Sequence, residues 1–164
     1  MLGEASDGLV DQIAQVPTGK LQVGPGDAVF VPSFTFAATA EVVALAGAEP
    51  VFVDIDPDTY NIDAAQLEAT ITEIRKEGRL KPKAIIPVDL FGLAADYSAI
   101  ASLADREGLL IVEDAAQAIG GERENVRCGA FGDVAATSFY PAKPLGCYGD
   151  GGAMFTNDAD LAAK

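Results

Sequence analysis

Four short, unbroken apolar runs, separated by stretches of helical periodicity, constrain this chain more than any other feature. They are AVFVP (residues 28–32), PVFVDI (50–55), KAIIPV (83–88) and LLIVED (109–114). A strand that is apolar along its whole length has to be covered on both faces. Helices alternating with such strands supply that cover, which is the pattern of parallel βαβ units. The expected fold class is therefore α/β, a three-layer sandwich around a mostly parallel central sheet.

The intervening segments carry their own boundary signals. TFAATAEVVALAG predicts a helix closed by Gly47; residues 63–77 predict a second with Asp63 as its N-cap; residues 96–107 predict a third ended by Gly108. Further on, residues 134–139 have a strand-like run, and GAMFT is a strand followed by a short helix. Residues 1–23 are weakly patterned, with Pro17, Thr18 and Gly19 interrupting any helix over 9–16. From residue 24 to residue 164 no repeat and no Pro/Ser-rich linker marks a domain boundary, so this stretch is expected to fold as one unit.

Composition narrows the function. Eleven basic against 25 acidic residues give a formal charge of −14. That charge repels phosphate backbones and anionic membrane surfaces, so neither nucleic acid nor membrane is an expected partner. Histidine is absent, which removes Ser-His-Asp and Cys-His catalysis and every zinc site containing histidine. Cys128 and Cys147 are too few and too far apart for a CxxC motif or a disulfide framework, so a cytoplasmic location with free thiols is expected. The N-terminus has no signal-peptide pattern, and no apolar run reaches membrane-spanning length.

Three motifs are weaker than they first look. DIDPDTYNID aligns Asp54, Asp56 and Asp58 like the start of a calcium loop, but Thr59 replaces the required glycine and Ala65 the final glutamate. GCYGDGGA is dense in glycine yet fits neither phosphate-binding fingerprint, and on glycine count alone is a tight turn. Glu113 and Asp114 are adjacent at a strand end, so their side chains point to opposite faces and at most one serves a given site.

Asp114 lies at the end of a hydrophobic strand, and open α/β sheets bind ligands outside the carboxyl ends of their strands. Lys143 lies between Pro141 and Pro144, after the run 134–139 and before the glycines. Taken alone, it is a solvated turn lysine. Paired with an aspartate at a strand end, it matches what pyridoxal 5′-phosphate enzymes require: an amine to bond the cofactor and an acid against its pyridine nitrogen. A lysine enzyme working without cofactor, such as an aldolase, would instead need an apolar pocket around that amine. A non-catalytic or regulatory α/β protein that only associates is the remaining alternative.

VEDAAQAIG, followed by SFYPAKPLGCYGDGGAMFTND, closely resembles the DegT/DnrJ/EryC1/StrS family of pyridoxal-phosphate-dependent sugar aminotransferases, and GPGDAVFVPSFTFAATAEVVALAGAEPVFVDID resembles its upstream segment. The resemblance runs from about residue 24 to the end. It implies the large domain of a type I aminotransferase, in part, with the family's smaller C-terminal domain absent. It also implies transfer of an amino group from glutamate or glutamine to a keto group of a nucleotide-linked sugar, by a homodimer or larger homo-oligomer. By resemblance, Lys143 bonds the cofactor and moves the proton, Asp114 faces the pyridine nitrogen and Gln117 contacts the ring-hydroxyl region. Ser138 binds the phosphate, and Phe36 either stacks on the ring or packs in the core. Family members carry an SGTxAL-like segment before GPGD that cradles the phosphate. This chain has LVDQIAQVPTGK there, so weak phosphate affinity is expected.

Overall fold

The computed structural model describes residues 23–163. Among them, six strands form one sheet in the order β2-β1-β3-β4-β7-β8. These strands are β1 (Asp27–Pro32), β2 (Glu49–Val53), β3 (Lys81–Ile85), β4 (Leu110–Asp114), β7 (Val134–Ser138) and β8 (Gly152–Phe155). Every pairing is parallel except β7 with β8. A two-residue hairpin, β5 (Glu122–Arg123) with β6 (Val126–Arg127), stands apart. The expected α/β sandwich is what the chain forms, with one antiparallel strand that apolar patterning has no means of marking.

Strand alternation distributes the core to two faces. Ala28, Phe30, Ile85 and Ile111 pack with Leu67 and Ile71 of α2 (Ala64–Glu77) and Ile100 and Leu103 of α3 (Tyr97–Glu107). Val29, Val31, Ala84, Ile86, Val112 and Val134 pack on the other face, against Val42 and Val43 of α1 (Ala38–Leu45). Phe30 lies at the centre of the register, opposite Val51 of β2 and Ile85 of β3, and is fully buried. Helix α4 (Ala159–Ala162) follows β8.

The helix ends follow their capping chemistry. Asp63 Oδ1 accepts from Ala65 N (2.7 Å) and Gln66 N (3.0 Å), and Asp96 accepts from Ala99 N. Gly78 and Gly108 close the two helices in the left-handed conformation, at φ 68° and 67°. Helix α1 has no side-chain cap at Ala37. It begins three residues inside the segment with helical patterning, because residues 33–36 leave β1 as an irregular loop.

Chain direction reverses around β1 and β3: β1 leads through α1 to β2 on one side, whereas β3 leads through α3 to β4 on the other. Such a reversal opens a crevice at the carboxyl ends of the strands. The weakly patterned residues 1–22 lie outside the described residues; Val23 packs against the α1-side core.

Candidate active site

Asp114 closes β4 and is 2% exposed. Its backbone is fixed on both sides, with its N–H donating to Pro87 O (2.9 Å) and its carbonyl accepting from Asp89 N (3.0 Å). Its carboxylate accepts from the Thr39 hydroxyl at Oδ2 (2.9 Å) and from Ala116 N at Oδ1 (3.2 Å). Asp114 pairs in register with Ala136 of β7, and Ser138 is two residues further along β7. Paired residues and residues two apart share a face, so Asp114 and Ser138 both open toward the α1 side. The small residues Ala38, Ala116 and Ala136 pack together there.

Ser138 is 1% exposed, and its Oγ accepts from Tyr140 N (3.2 Å), which leaves its own hydrogen to donate. Beyond it, residues 139–151 form a loop tied at its base by Phe139 N to Gly151 O (2.7 Å) and Cys147 N to Phe139 O (2.7 Å). Lys143 N donates to Tyr140 O (2.8 Å), closing the turn that presents the lysine. Gly146 makes that turn possible: a Cβ there would lie 2.6 Å from the Pro141 carbonyl oxygen.

Lys143 Nζ lies 5.6 Å from the centroid of the Phe36 ring, within cation–π range. Phe36, Phe91, Gln117, Tyr140, Lys143 and Pro144 line a cleft of about 510 Å³. At 56% exposure Phe36 is not a core residue; its ring lines the cleft instead. Gln117 Oε1 accepts from Phe91 N (2.8 Å), so the orientation of its amide is set and its NH₂ remains to donate. All five residues singled out in the sequence thus gather at one sheet end, with Asp114 and Ser138 buried at the ends of adjacent strands and the other three at the cleft.

Glu113 lies on the opposite face, as its adjacency to Asp114 requires. It is fully buried, accepting from Gly129 N at Oε1 and from Phe131 N at Oε2 (2.8 Å). Beside it Asp89, also fully buried, accepts at Oδ1 from Ala95 N and Tyr97 Oη (3.0 Å each), while its Oδ2 has no hydrogen-bond partner. Ligand-type atoms of Asp89, Glu113 and Cys128 lie within 4.8 Å of one another. Burial pushes Glu113 up to about 7 and Asp89 above the usual carboxylate range, and holds the Cys128 thiol at about 12. Both carboxyls are thus shifted toward holding a proton. With the thiol protonated and both Glu113 oxygens engaged, the cluster is better suited to a proton than to a metal ion.

Sequence reasoning missed three residues here. Asp89 comes from a segment that carries no motif, and Thr39 lies in TFAATAEVVALAG, where it reads only as a helix residue. Asn61, whose side chain accepts from Leu90 N and donates to Leu93 O, is signalled only as a turn residue. Asp56 is used locally, accepting from Asp58 N and Thr59 N (2.9 Å each), so the acidic loop organises its own turn.

The chain matches the DegT/DnrJ/EryC1/StrS aminotransferase family over residues 13–164. It is 54% identical over 151 residues to the UDP-2-acetamido-2-deoxy-3-oxo-D-glucuronate aminotransferase of Pseudomonas aeruginosa, covering 92% of this chain and 39% of that one. A DegT DnrJ EryC1 StrS aminotransferase crystal structure from Brucella abortus superposes with a TM-score of 0.91 at 71% identity, covering 96% of this chain and 42% of that one. The structure of NtdA from Bacillus subtilis with bound cofactor PMP superposes at 0.80 with 35% identity, covering 96% of this chain and 33% of that one. The chain therefore spans about two fifths of the length of the curated relatives it matches. On the match of its sequence and the superposition of its fold, this chain belongs to the DegT/DnrJ/EryC1/StrS aminotransferase family.

Proposed function

We propose that residues 24–164 form part of a cofactor-binding large domain that holds pyridoxal 5′-phosphate and transfers an amino group from glutamate or glutamine to a keto group of a nucleotide-linked sugar. The carrying observation is a buried, doubly hydrogen-bonded Asp114 at a strand end, beside a cleft where Lys143 Nζ lies over the Phe36 ring. The named relatives that act on nucleotide-linked sugars and the structural relative with bound PMP support the substrate class and the cofactor. Cytoplasmic action agrees with two free thiols, Cys128 and Cys147. A homodimer or larger homo-oligomer belongs to the same proposal.

When bound, pyridoxal phosphate supplies an electron sink and carries the amino group between donor and acceptor. The chain's own residues do the rest. Asp114 would hold a positive charge at the ring nitrogen, because an ionised carboxylate in a buried site strongly favours a protonated partner. Phe36 would cover one ring face and exclude water from it. The Ser138 hydroxyl would donate toward the phosphate, and the Gln117 amide toward the ring hydroxyl. Lys143 Nζ would hold the cofactor and would accept and return a proton at the substrate carbon.

Activity tests the proposal directly. Incubation with pyridoxal phosphate, glutamate and a UDP-linked 3-keto sugar should release 2-oxoglutarate, and Lys143→Ala should lower that rate by at least about 1,000-fold, the scale of losing a positioned acid–base group. A Lys143→Ala rate equal to wild type would exclude the assignment.

A further inference from the structure

Thr39 is fully buried in the first turn of α1, where an apolar residue would serve packing better. Threonine in a helix commonly turns its hydroxyl back to a carbonyl three or four residues earlier. Here the hydroxyl reaches instead across 75 residues of sequence to Asp114 Oδ2, at 2.9 Å. An ionised carboxylate only accepts, so Thr39 is the donor, and its oxygen is left to accept from the Thr35 hydroxyl 3.0 Å away. The result is a directed relay from Thr35 through Thr39 to Asp114.

With Oδ2 held by Thr39 and Oδ1 held by Ala116 N, the plane of the carboxylate is set by donors from two separate elements. Hydrogen bonds to an ionised group are roughly twice as strong as neutral ones. Leaving such a buried acceptor without its donor costs more than an ordinary contact. Two donors from separate elements therefore bear on its orientation.

Resting on the function proposed above, we infer that Thr39, backed by Thr35, is a positioning residue that orients the Asp114 carboxylate toward the cofactor's ring nitrogen. Thr39 touches neither cofactor nor substrate, and its whole effect passes through Asp114.

The test uses Thr39→Val, which keeps the shape and removes the donor, Thr39→Ser, which keeps the donor, and Thr35→Val, which removes only the outer hydroxyl. In cofactor-free protein, carbon-13 detection of the Asp114 carboxyl should give a titration midpoint higher by roughly one pH unit in Thr39→Val. Thr39→Ser should restore the wild-type midpoint, and Thr35→Val should move it in the same direction by less. With pyridoxal phosphate added, Thr39→Val should bind about tenfold more weakly, with Thr39→Ser near wild type. A midpoint and affinity unchanged in both valine variants, whatever their stability, would overturn the inference. Failure of the function itself looks different: wild-type protein would then take up no pyridoxal phosphate on Lys143, while the cofactor-free titration still reports whether Thr39 acts on Asp114.

Discussion

Adjacent residues at the end of β4 serve opposite faces of one sheet. Asp114 turns toward the α1 face, where a hydroxyl and a backbone amide donate to its carboxylate. Glu113 turns toward α2 and α3, into a core that raises it to about 7. The raised value makes folding pH-dependent in a defined direction. Free glutamate titrates near 4.3, so between about 4.5 and 7 the folded chain holds a proton that the unfolded chain has lost. The stabilisation is complete below that window and is lost as pH rises through 7. Asp89 is shifted in the same direction, and the proton belongs to the pair. Urea unfolding should therefore show stability falling between pH 5.5 and 8.5 by on the order of 2 kcal/mol. Glu113→Gln, which is neutral throughout, should flatten the slope. An equally steep slope in the variant would place the titrating group elsewhere.

At the scale of elements, the sheet and its helices were legible because burial on two faces leaves continuous apolar runs, and because Asp63, Asp96, Gly78 and Gly108 are the residues that helix ends require. The β5–β6 hairpin was not. Its strands are two residues long and its turn places Glu124 and Asn125 at positive φ (53° and 65°), with neither alternation nor a glycine to signal it. Lys143, Asp114, Gln117, Ser138 and Phe36, which the sequence singles out in contiguous motifs, are brought to one sheet end by the fold. The roles of Thr39 and Asp89 had no such signal, since each acquires its partner only when a distant strand end is brought beside it. The lysine-bearing loop has its own test. Gly146→Ala would put a methyl group 2.6 Å from the Pro141 carbonyl oxygen, so the turn has to open, at a typical overpacking cost of about 1–3 kcal/mol. Because the loop is exposed, that cost should appear as faster amide exchange at Cys147 and Phe139, with a nearly unchanged urea midpoint. Unchanged exchange at both amides would mean that the loop accommodates the methyl without moving.

For the molecule as a whole, the fold brings together groups that are far apart in sequence. The loop after β1 contributes Phe36, the end of β4 contributes Asp114 and the loop after it Gln117, and the end of β7 contributes Ser138 and the loop after it Lys143. The reversal of direction around β1 and β3 opens the sheet end on which they meet. Exposed aromatic rings lie along the same end, with Phe34 against Tyr60 at 5.7 Å and Tyr60 against Phe91 at 6.3 Å between centroids. One amine matters most, since Lys143 is the group that would join protein to cofactor covalently. Its most direct measurement is borohydride reduction of the chain after incubation with pyridoxal phosphate, followed by peptide mapping of the pyridoxyl group. The expected result is a visible absorbance band that disappears on reduction, a single modified peptide containing Lys143, and no adduct in Lys143→Ala. Label spread over several surface lysines and unchanged in Lys143→Ala would contradict it.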